Sequence, residues 1–180
     1  MDLVNRVKNI LVSPISEWRA IDGEPDRPSD ILKNYVAILA AIPAVCGFIG
    51  LVLIGGSIVF GLISAVIQYG LTLAGVYVVA FVINALAPMF GGIRDFSRAF
   101  KVAAYAPTAA WVAGAFALIP ALAVFMILGV YSIYLFFIGL PILMRGRVDS
   151  SVAYILVVLV TVIIVYMVIL YLPMTLLGAR

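Results

Sequence analysis

Histidine is absent from the 180 residues, cysteine occurs once, and Asp, Glu, Lys and Arg together make up only 11%. Without histidine there is no imidazole for a catalytic triad, a haem or the usual zinc sites, and one cysteine cannot form an internal disulfide. Soluble domains carry about a quarter charged residues. This chain therefore lacks the charge needed to cover a water-facing surface of its size. What it has instead is 66% hydrophobic residues, and their outer medium must be lipid.

The few charges fall in three clusters. No charge occurs in the 60 residues between Lys33 and Arg94, the 43 between Lys101 and Arg145, or the 30 between Asp149 and Arg180. A membrane helix needs about 20 apolar residues, so the three tracts hold two, two and one crossings. Turn residues divide the longer tracts where that count requires it: Gly55, Gly56 and Ser57 in the first, Pro120 in the second. The expected architecture is an all-α, polytopic transmembrane bundle of five helices, with spans near 35–54, 58–87, 100–119, 121–144 and 152–177. The second is overlong for a hydrocarbon core of about 30 Å, which predicts tilt or a break near Gly70 or Gly75. Pro43, Pro107 and Pro141 each predict a kink.

Five crossings put ten of the eleven basic residues on one side. The positive-inside rule makes that side cytoplasmic, with the N-terminus there and the C-terminus outside. The first long apolar run starts only near Tyr35, and no signal peptide is expected. Residues 1–33 form a cytoplasmic or interfacial segment and 34–180 the membrane domain. Leu3, Val7, Ile10 and Leu11 recur at helical spacing, with Arg6 and Lys8 between them. This predicts an amphipathic helix in the headgroup plane, ending at Ser13-Pro14, with Trp18 as an interfacial anchor. Asp22 to Pro28 reads as an acidic loop, followed by a helix capped by Ser29 or Asp30. Arg6, Lys8, Trp18, Arg94, Arg98 and Lys101 are the candidate lipid-headgroup contacts.

No ionised side chain is expected at mid-membrane depth, which speaks against a proton-coupled carrier and against an activated nucleophile for hydrolysis. In the second crossing Ser57, Gly61, Ser64, Gln68, Thr72 and Gly75 follow one another at intervals of three or four. They form one small and polar stripe, a candidate helix-packing or ligand face. In the third, Ala106, Ala110 and Gly114 offer a complementary small row. In the second crossing Gln68 is the most polar residue near mid-membrane; Tyr131, Ser132 and Thr161 are expected at comparable depth, where they could form a hydrogen-bonded layer. The last crossing, mostly Val, Ile and Leu from Leu156 to Ile169, suits a peripheral, lipid-facing helix. Cys46 is a packing residue inside the first crossing.

Three stretches carry a family resemblance. They are Val4-Asn5-Arg6-Val7-Lys8-Asn9-Ile10-Leu11 with Ser13-Pro14 and Glu17-Trp18; Gly91-Gly92 through Phe96 and Ala99-Phe100-Lys101-Val102-Ala103-Ala104-Tyr105 to Pro107; and Gly129-Val130-Tyr131-Ser132-Ile133-Tyr134-Leu135 into Gly139-Leu140-Pro141. In this order they resemble the Yip family, the Ypt/Rab-interacting five-span membrane proteins, over nearly the whole chain. The resemblance implies a cytoplasmic N-terminus, a C-terminus on the opposite face, and no catalytic residues or cofactor. With only a short segment before the first crossing, the chain is similar to the short prokaryotic type; this resemblance implies a prokaryotic cytoplasmic (inner) membrane, and a GTPase partner is not expected. The partners expected are the lipid bilayer, other membrane proteins or a second copy, and not nucleic acid. Two functions follow as expectations: a non-enzymatic protein that organises or shapes membrane or scaffolds its partners, or a channel or carrier for a small neutral solute or lipid.

Overall fold

The computed structural model describes residues 2–25, 27–145 and 148–178, and among these all regular structure is helical. Expectations involving Asp26, Arg147 and Arg180 lie outside the described residues. Helix α1 (Leu3–Val12) starts where the Asp2 carboxylate accepts the Val4 N–H at 3.1 Å. It stops at Ser13 because a residue before proline avoids helical backbone, and Pro14 then opens α2 (Pro14–Gly23) at a position where its missing N–H costs nothing. Helix α3 (Pro28–Leu53) begins at Pro28 with Arg27, not Ser29 or Asp30, as its cap, and contains a π turn over Leu32–Val36.

A turn through Gly55, held at φ 81, leads to Ser57, whose hydroxyl accepts the Phe60 N–H and caps α4 (Ile58–Leu86). The expected break at Gly70 or Gly75 does not occur. No proline interrupts α4, and Gly75 serves close packing against Val165 rather than a bend. At about 1.5 Å per residue its 29 residues exceed a hydrocarbon core of about 30 Å, so α4 tilts or projects.

Among the described residues four helices are long and apolar enough to cross a membrane: Pro28–Leu53, Ile58–Phe90, Pro120–Met144 and Ala153–Pro173. The expected third crossing is not one continuous helix. Pro107 lacks an N–H and divides it into α5 (Phe96–Tyr105) and α6 (Thr108–Ala113), followed by a 3-10 turn over Gly114–Leu118. The chain reverses at Ile119-Pro120 into a 3-10 run over Pro120–Val130, then α7 (Tyr131–Met144), and finishes in α8 (Val148–Gly178).

Side-chain pairings give the direction of each segment. Tyr35 bonds Thr108 at 2.7 Å, Gly114 lies on Pro43, and Gly50 lies on the Ala117 carbonyl, so the third segment runs parallel to α3. Gly61 packs on Phe48, and Tyr69 donates to the Ala37 carbonyl at 3.1 Å, so α4 is antiparallel to α3. Gly129 lies on Ala110, and the Met144 carbonyl accepts the Ile93 N–H at 2.9 Å, so the fourth segment returns antiparallel to the third. Tyr154 donates to the Ile83 carbonyl while Val165 meets Gly75, which makes α8 antiparallel to α4. The directions alternate from each segment to the next. Every residue from Ala99 to Tyr105 is buried, which puts the alanine-rich third segment at the centre. α8 lies outside, burying Tyr154, Ile155 and Val158 toward α4 and exposing Ile163, Ile164 and Met167.

The N-terminal hairpin differs from the interfacial arrangement expected for it. α2 lies lengthwise along α7: Tyr131 donates to the Leu11 carbonyl near the hairpin tip, the Trp18 ring packs on Gly139, and Asp22 reaches Arg98 and Arg145 at the far end. The apolar side chains Ile10, Trp18 and Ile21 are thereby fully enclosed by protein. Burial of this kind contributes about 1.5–3 kcal/mol for each large apolar side chain.

Candidate functional site

The stripe of the second crossing is split by its surroundings. Ser57 caps the helix and Gly61 packs on Phe48. The Ser64 hydroxyl is buried without a hydrogen-bond partner. Gln68, Thr72 and Gly75 line a cavity of about 190 Å³ enclosed by α3, α4, the third and fourth segments and α8. From the third segment Ala106, Ala110 and Gly114 line the opposite wall. These two small-residue rows leave a space between them instead of closing on one another.

The cavity wall is mostly apolar and, among the described residues, carries no ionisable Asp, Glu, Lys or Arg. Its polar groups are neutral. Thr72 spends its proton on the Gln68 backbone carbonyl at 2.8 Å, and the Ser132 oxygen accepts the Ala110 N–H at 2.9 Å. No hydrogen bond among the described residues reaches the Gln68 amide or the Trp111 indole N–H. An amide or indole N–H left unpaired in an apolar medium costs about 2–7 kcal/mol relative to water, depending on the reference solvent. The layer expected from Tyr131, Ser132 and Thr161 does not form: Tyr131 bonds the Leu11 carbonyl and Thr161 bonds its own helix at the Val157 carbonyl. Trp111, only 7% exposed, is the lining residue that periodicity did not single out. An indole amid a row of alanines was the available signal.

The charged side chains gather at one end of the bundle. Arg6 is 7% exposed, donates to Glu17 at 2.6 Å and to Glu24, and lies 5.8 Å from the centre of the Tyr105 ring. Burial works hardest against its charge. The Glu24 hydrogen bond, with the negative potentials of Glu24, Tyr105 and Glu17, outweighs burial and raises its pKa, so the guanidinium stays ionised. Lys101, 4% exposed, donates to the backbone carbonyls of Ile21, at 2.7 Å, and Glu24. Arg98 holds Asp22 and the Leu143 carbonyl, with Asp95 at 3.4 Å. Of the six side chains expected at headgroups, Arg6, Lys101 and Trp18 are instead enclosed by protein: α2 and its cap Glu24 offer Arg6 carboxylates and Lys101 carbonyls, and α7 offers Trp18 a seat on Gly139. Lys8 and Arg94 are exposed, and Arg98 is half-buried.

Among its described residues the chain is helical throughout its regular structure, with four helices fit to cross a bilayer, an apolar cavity and a cluster of charged side chains at one end, and this is a polytopic membrane protein. Residues 8–170 match the family model of the Yip1 domain, and the chain belongs to that family. It is similar to the inner membrane protein YohC of Escherichia coli strain K12, with 28% identity over 165 residues covering 84% of this chain and 85% of the relative. YohC of Escherichia coli O6:H1 strain CFT073 matches to the same extent. No solved structure matches the chain.

Proposed function

We propose that this chain is a non-enzymatic, five-crossing membrane protein that takes a lipid or small neutral solute into the centre of its bundle. The alternating direction of five segments supports that count, the broken third segment crossing as α5, α6 and the 3-10 turn after them. In this reading residues 1–33 are the cytoplasmic or interfacial segment, folded as a hairpin along α7, and 34–180 the membrane domain. The gathering of Arg6, Arg98, Lys101 and Arg145 at one end supports a cytoplasmic N-terminus, and the resemblance to YohC supports an inner membrane. Among the described residues no Asp, Glu, Lys, Arg or His lines the cavity to activate a nucleophile, which favours binding over hydrolysis.

The observation that carries this reading is the cavity between Gln68, Thr72 and Gly75 on one wall and Ala106, Ala110 and Gly114 on the other. The organising or scaffolding role has a different observation in its favour. Gly70 and Ala74 stand exposed one turn apart on α4, where small residues let a second membrane helix approach closely.

A phospholipid carrying a diazirine at mid-chain separates the two. After photolysis in vesicles, peptides containing Gln68, Ala110 or Ser132 are expected to carry adducts. Labelling confined to outward residues such as Leu62, Val66 and Phe81 would contradict a lipid-accessible cavity.

A further inference from the structure

We infer that the central cavity receives, sideways from the bilayer, a neutral lipid whose carbonyl or ester oxygen is held by Gln68 and Trp111. This rests on the binding reading above and adds the chemistry of the ligand. Three observations carry it.

The first is the balance of hydrogen-bonding groups. Gln68 brings two unused donors, Trp111 one and Ser132 one, because the Ser132 oxygen is already occupied by the Ala110 N–H. The Thr72 proton is already given to the helix backbone. An indole N–H can only donate, and among the described residues no other lining group bonds it or the Gln68 amide, so the matching molecule supplies an acceptor oxygen. Trp111 is more than nine-tenths buried and has no other partner among the described residues. At this depth bulk water is absent, and the partner comes from protein, an ordered water or a lipid group, of which the lipid carbonyl also suits the apolar wall.

The second is charge. With no Lys or Arg on the wall, a phosphate or carboxylate would enter as an unpaired ion, which burial strongly opposes. The head that fits is therefore uncharged. At about 190 Å³ the cavity somewhat exceeds one of about 150 Å³ that accepts benzene. It has room for a ring or for an ester with a short length of chain, and the rest of the lipid stays outside.

The third is the opening. Met126 and Ile133 of the fourth segment and Tyr166 of α8 line the cavity and are also exposed on the outer surface. They mark a mouth between these two elements, facing acyl chains rather than water. Tyr166 is a neutral polar side chain at this rim.

Carbonyl oxygens at this depth come from two sources, an acyl ester and a quinone ring. The test uses dioleoylglycerol for the first and decylubiquinone for the second. Each is offered to the full-length protein in phosphatidylcholine nanodiscs and read by native mass spectrometry. The wild type is expected to retain one equivalent of at least one probe, and the retained probe names the source. Gln68→Leu is expected to weaken retention about tenfold, the effect of losing a buried hydrogen bond. Trp111→Phe, which keeps an aromatic ring but removes the N–H and part of the indole's volume, should weaken it severalfold, whereas the outward variant Gly70→Ala should bind as the wild type does. Circular dichroism checks that the variants are folded.

Equal retention by wild type, Gln68→Leu and Trp111→Phe would overturn the assigned head chemistry and leave the cavity reading intact. The same follows if the wild type retains neither probe yet is labelled at Gln68 or Ala110 by the mid-chain diazirine. Failure of both experiments would remove the binding reading itself.

Discussion

Replacing Arg6 with Met is expected to destabilise the protein by about 3 kcal/mol, the lower end of what breaking a buried ion pair costs. The guanidinium is 7% exposed and is shared by Glu17 and Glu24, so its removal leaves two carboxylates facing one another beneath the Tyr105 ring. Glu17 is the more enclosed of the two, and Glu24 recovers part of its hydration, which keeps the loss near the lower end. The measurement is thermal unfolding in mild detergent, followed by Trp18 fluorescence in a Trp111→Phe background. The triple variant Arg6→Met, Glu17→Gln, Glu24→Gln should recover most of the loss, because it removes the orphaned charge together with its partner. A single Arg6→Met change that leaves unfolding unaltered would mean that the hairpin is not held by this network.

The second large effect is expected at Gly50. A Cβ there would run into the backbone carbonyl oxygen of Ala117, an atom that cannot swing aside as a side-chain tip can. Gly50→Val should therefore cost about 3 kcal/mol, at the upper end of ordinary overpacking, and separate α3 from the third segment. Gly47 lies on the same helix with nothing near its missing Cβ, and Gly47→Ala is expected to stay within about 0.5 kcal/mol of wild type. Denaturant unfolding of the two variants side by side checks the contrast. If both behave alike, close approach at Gly50 is not what joins these segments.

Membrane residence and family were legible in the sequence because they rest on composition, on the long uncharged tracts and on three ordered stretches. The turn through Gly55 and Gly56 was legible too, since glycine and a capping Ser57 act locally. The seating of the hairpin was not. The helical period of Leu3, Val7 and Ile10 says that one face is apolar, but lipid and protein satisfy that face equally. Arg6 finds its partners Glu17 and Glu24 outside its own helix, beyond the reach of spacing rules. The stripe through Gln68 was visible as a pattern for the same reason. Whether two small rows close or leave a space depends on where Pro107 breaks the third segment and where the 3-10 turn over Gly114–Leu118 begins. Tertiary packing decides both.

In the proposed reading, five segments of alternating direction make five passes and leave the two ends of the chain on opposite faces of the bilayer. Reporters fused in turn to each end of the chain, one active only in the cytoplasm and one only outside, test this most directly. The expected result is a cytoplasmic signal from the N-terminal fusion and an external signal from the C-terminal fusion. Both ends reporting from the same side would contradict the five-pass bundle and the cavity built on it.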